Sequence, residues 1–168
     1  MNKKKFVLLV VIIVIATMTI PVFAKGTTDT EVSYSECIDT DSLDVEKEWS
    51  PGANVLQMRN AQYTSYIQTF SDDRLSGTIY GNEKVVIAHK DLRANFQGPI
   101  TIVLPDGRGV WEGSWKGDGV MGVNWEIDIV LHGKEGEVKG LKAFLTTTSD
   151  PTYWCANSTG IIVNPGDK

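Results

Sequence analysis

Five aromatic residues and two cysteines are the side chains whose types and spacing best suit chemistry here. Cys37 and Cys155 each stand alone, and neither has a histidine near it. A Cys–His metal site therefore lacks ligands. In an oxidising compartment an even cysteine count points to a disulfide. That bond would close a loop of about 120 residues, worth roughly 5 kcal/mol at most by chain entropy. Two free thiols are the alternative. Among the aromatics, Trp111, Trp115 and Trp125 fall on inward faces by alternation, while Tyr63 and Tyr66 fall on opposite faces of one long polar segment. These five are the candidate ligand-binding residues. Packing of a core is the competing reading of the tryptophans.

Acid–base and nucleophilic chemistry finds less support. The chain has no G-x-S-x-G, no H-E-x-x-H and no phosphate-cradling glycine loop. His89 and His132 are far apart and fall at strand ends. His132 shares a face with Asp128, which allows a base or a ligand, but a surface histidine near a turn reads the same way. Glu112, Glu126 and Asp128 offer paired carboxylates, and a wet outer face explains them equally. Eight acids (Asp29, Glu31, Glu36, Asp39, Asp41, Asp44, Glu46 and Glu48) crowd residues 29–48 against Lys47 alone. No calcium-loop pattern with its turn glycine occurs there, so a solvated lead-in and loop is the reading. No metal and no cofactor is expected.

The elements that must position these residues are strands. Sixteen glycines and six prolines punctuate the chain, and no stretch keeps a helical apolar period. Residues 42–49 could make one short helical turn capped by Ser42. Residues 123–131 alternate cleanly, with Val123, Trp125, Ile127, Ile129 and Leu131 on one face. Strands are expected at about 31–38, 55–70, 75–82, 84–90, 98–104, 109–116, 122–132 and 141–148, with a ninth piece at 153–163. Gly117, Asp118 and Gly119 read as the turn between the tryptophan-bearing strands, and Pro105, Asp106 and Gly107 as another. Short connections predict an all-β fold: an antiparallel, eight-stranded, closed or nearly closed β-barrel in meander order. Closure makes the first and last strands neighbours, which is where the cysteines lie.

Residues 1–24 carry Lys3, Lys4 and Lys5, an apolar run over 6–16, and Val22 and Ala24 before a cleavage point. That is the anatomy of a secretory signal peptide cleaved after Ala24. An uncleaved anchor is the alternative, but the run is short for a span and Pro21 ends it. The expected organisation is a leader at 1–24, a disordered lead-in at 25–30, one barrel domain at 31–164 and a tail at 165–168. Losing the three leader lysines takes the net charge from −5 to −8. An acidic domain disfavours nucleic acid and anionic membranes, and no stable membrane insertion is expected after cleavage. Asn157, Ser158 and Thr159 form a glycosylation acceptor pattern.

The stretches SDDRLSGT, GPITIVLPDGRGVWEGSWKGDG and LHGKEGEVKGLKAF resemble small barrels of the allene oxide cyclase and dirigent type. The matching residues are Trp111, Gly113 and Gly117, then Gly136, Val138, Gly140 and Leu141. The likeness, from Ser71 to Phe144, covers about half of the mature chain, and its motifs report fold rather than chemistry. No catalytic residue is transferred. The resemblance implies a barrel, and it allows an isomerase or cyclase-like activity.

Three functions fit: a secreted binder of a small apolar or amphipathic molecule, an isomerase-like catalyst in the lumen, or an inert cell-surface interaction domain. An open lumen without a strongly perturbed titratable group favours the binder. A strongly perturbed titratable group inside it favours the catalyst. A lumen filled by the three tryptophans favours the interaction domain.

Overall fold

The computed structural model describes residues 28–149 and 154–166. The leader expected over 1–24 lies outside them. Eight antiparallel strands run in sequence order around one ring: β1 (Thr28–Gly52), β2 (Val55–Phe70), β3 (Thr78–Ala88), β4 (Arg93–Val103), β5 (Gly109–Val120), β6 (Asn124–Gly136), β7 (Lys142–Ser149) and β8 (Cys155–Asn164). β1 pairs with both β2 and β8, which closes the barrel. Cys37 and Cys155 are cross-strand partners at that seam and are disulfide-bonded.

Several local expectations change. Residues 42–49 are strand, because β2 offers Val45, Lys47 and Glu48 backbone partners that outweigh one capped turn. The two strands expected at 75–82 and 84–90 are one, so the nine pieces become eight. Gly117, Asp118 and Gly119 lie within β5, paired to Ile127, Glu126 and Trp125. The chain turns instead at residues 121–123, and Val123 is 71% exposed there rather than on the buried face. Gly122 supplies the positive φ of 81° that the turn needs. β1 begins at Thr28, inside the segment expected to be disordered.

One end of the barrel is packed solid. Leu75, Leu104 and Val138, from the three connections at that end, are fully buried. Each contributes about 1.5–3 kcal/mol by leaving water. They plug a floor of Ile79, Ile102, Trp111, Leu131 and Ile162, all with almost no exposure. A 3-10 turn at Asp73–Leu75 is tied down twice. The Asp72 carboxylate accepts from the Arg74 backbone N–H and from its guanidinium, at 2.9 and 2.6 Å. The Trp111 indole N–H then donates to the Arg74 carbonyl at 2.6 Å.

Candidate functional site

Strand alternation sends every second residue inward, and at the other end of the barrel those residues leave a space. The cavity measures about 200 Å³. That is below the usual drug-sized range of about 300–1,000 Å³ and above the roughly 150 Å³ that takes a benzene ring. Its walls are apolar and aromatic: Val85 of β3, Phe96 and Ile100 of β4, Trp115 of β5, and Ile127 and Ile129 of β6. Leu43, Met121, Trp125 and Trp154 carry the lining outward. Leu43 and Trp154 are substantially exposed, so they mark the mouth.

Polar groups gather on one side of this space. Tyr34 and Glu36 follow Val32 along the inward face of β1, with Tyr63 and Ser65 opposite on β2 and Glu83 on β3. Gly81 is the cross-strand partner of Tyr63, and the phenol ring occupies the place where a Cβ on Gly81 would sit. The glycine therefore fixes how Tyr63 lies against the wall. Ser65 donates to the Glu36 carboxylate at 2.6 Å and also approaches the Cys37 carbonyl at 3.1 Å. Glu83 has no hydrogen-bond or ion-pair partner among the described residues.

Burial sets the electrostatics. It lifts Glu36 from the ordinary carboxylate value to about 7, against a smaller downward pull from the Ser65 hydroxyl. It lifts Glu83 to about 7 with no opposing contact. Tyr63 is raised by burial first, then by the negative charges of Glu36 and Glu83 and by Tyr34. Tyr34 is raised by burial and by Glu36. Its hydroxyl lies beside the Thr147–Ser158 hydroxyl pair, which is joined at 2.6 Å, without a well-formed hydrogen bond to either. The Trp115 indole N–H is also buried and unpartnered. The tyrosines stay neutral and can only offer hydrogen bonds, while the two carboxyls, titrating near neutrality, can donate or accept protons at physiological pH.

The five aromatics singled out from the sequence are not brought together. Tyr63, Trp115 and Trp125 line the cavity. Trp111 sits in the packed end, fully buried. Tyr66 is half exposed on the outer surface. His89, His132, Glu112, Glu126 and Asp128 are exposed, away from the lumen. Among the described residues no cluster of histidine, cysteine or carboxylate side chains could hold a metal.

Glu36 and Glu83 were not singled out from the sequence. Glu36 is grouped there with the solvated acids, although Val32, Tyr34 and Glu36 keep period two. Glu83 falls there in the gap between the strands expected at 75–82 and 84–90. No protein-family model matches this chain, and no curated protein matches it.

Proposed function

We propose that the protein holds a small, mostly apolar molecule in its barrel lumen, outside the cytoplasm, with a polar group of that molecule set against Glu36, Tyr63 and Glu83. One observation carries the reading: a cavity of about 200 Å³ sits above a solid floor, apolar on most sides and polar on one. Pockets of that composition bind by area and orient by a few polar atoms. About ten non-hydrogen atoms fill such a space, and a longer ligand extends along Leu43 and Trp154. The Cys37–Cys155 bond is compatible with an extracellular protein. The open cavity counts against a filled, inert barrel.

A second reading has its own support. Glu36 and Glu83 titrate near 7 inside the lumen, which suits proton transfer at neutral pH. That favours an isomerase or cyclase-like catalyst, the activity that the resemblance to allene oxide cyclase and dirigent-type barrels allows. A shaped pocket would hold the substrate in its reactive conformation while one carboxyl moves a proton.

Native mass spectrometry of residues 25–168, purified from the secreting host without refolding, tests both. An adduct that leaves on denaturation supports the lumen as a binding site. Incubating the released molecule with fresh protein then separates the readings, since a catalyst changes it and a binder returns it. A bare protein that also takes up no small aromatic probe refutes the proposal.

A further inference from the structure

Resting on the lumen-binding function, we infer that the ligand is a small organic cation: a protonated amine on a compact apolar or aromatic body. Two independent features of the cavity point there. First, its lining holds two carboxyls and no lysine, arginine or histidine. Glu36 keeps one hydroxyl partner and Glu83 none among the described residues. Buried carboxylates are ordinarily paired with a cation or held by several donors, so this pair lacks a counter-charge that a ligand would bring.

Second, the remaining walls suit a cation. Tyr63, Phe96, Trp115 and Trp125 all line the space, and aromatic faces attract ammonium groups where water is scarce. An anionic ligand would meet two like charges. A neutral one would leave both carboxyls as costly as it found them.

Binding of such a cation is coupled to the ionisation of both carboxyls. The titratable groups facing them within the barrel are Tyr34 on β1 and Tyr63 on β2. β4 and β5 present Phe96, Ile100 and Trp115, which carry no charge. Outside the wall, Arg59, Lys84, Lys116 and Asp128 border a groove that reaches Glu83, and none of them pairs with it. With the tyrosines neutral, raising the pH from 5.5 to 8 ionises Glu36 and Glu83 and strengthens the site for a cation.

The test uses three probes that share a phenyl ring and a benzylic hydroxyl: 2-amino-1-phenylethanol (cationic), 1-phenylethanol (neutral) and mandelate (anionic). Affinities for the mature protein are read by calorimetry at pH 8 and 5.5. The expected result at pH 8 is at least tenfold tighter binding of the amine than of the alcohol, with mandelate weakest. At pH 5.5 the preference for the amine falls to within a few-fold. A Glu36→Gln/Glu83→Gln double variant, checked for a native-like melt, loses the preference for the amine at pH 8, and a variant that keeps it overturns the cation inference. Equal binding of alcohol and amine at pH 8, or tighter binding of mandelate, overturns the cation inference and leaves the lumen as a binding site. So does a preference that survives at pH 5.5. Failure of all three probes to bind overturns the lumen reading itself.

Discussion

Replacing Glu83 by Gln should stabilise the protein above neutral pH and leave it unchanged in acid. Glu83 titrates at about 7 in the fold, against an ordinary value of 4.5. Between those values the folded state holds a proton that the unfolded chain has released. Stability therefore falls as pH rises from about 4.5 to about 7, and the whole cost is present above that. Allowing for water in the cavity, the cost is roughly 2–3 kcal/mol. For a domain of this size that is roughly 4–12 °C in melting temperature. Glutamine keeps the shape and has no charge to bury. Melting curves by circular dichroism at pH 4.5 and pH 8 measure the difference directly. The wild type should melt lower at pH 8 than at pH 4.5, and the variant should recover about half of that gap, with Glu36 accounting for the rest. An equal gain at both pH values, or none at pH 8, would show that Glu83 is not a buried, uncompensated acid.

Three other perturbations probe the scaffold. Reducing Cys37–Cys155, which are 118 residues apart in sequence, should lower stability by up to about 5 kcal/mol. A melt indifferent to reductant refutes the seam's importance. Trp111→Phe removes the donor to the Arg74 carbonyl and some buried volume, and should cost roughly 2–4 kcal/mol in urea titrations. A loss under about 1 kcal/mol would mean that the turn is held by its apolar contacts alone. Gly81→Ala forces the Tyr63 ring off the wall and into the cavity. Probe binding should weaken at least tenfold while far-UV circular dichroism stays native, and unchanged binding refutes the assigned position of Tyr63.

The ring of strands was legible because alternation, turn residues and cysteine placement all pointed the same way. Residues 55–70 coincide with β2, and Trp111, Trp115 and Trp125 do share the inward side. Depth along the barrel axis was not legible. Alternation tells in from out, yet Trp111 and Trp115, four residues apart on β5, lie one in the plug and one on the cavity wall. Which end is plugged depends on Leu75, Leu104 and Val138, and these sit in connections that carry no periodic signal. The carboxyls were hidden for another reason. An acid at an inward position contradicts the apolar pattern by which inward positions are recognised, so Glu36 reads as surface and Glu83 as a break.

β1 is 25 residues long, but β8 accompanies it only from Thr28 to Cys37. Beyond Ile38, whose N–H reaches the Trp154 carbonyl, β1 has β2 on one side and no paired strand on the other among the described residues. A bare strand edge invites a second chain to add to it. Asp39, Asp41, Asp44, Glu46 and Glu48 fall along this one. Any copy docked there would set these acids against their like, which opposes edge-to-edge pairing of strands.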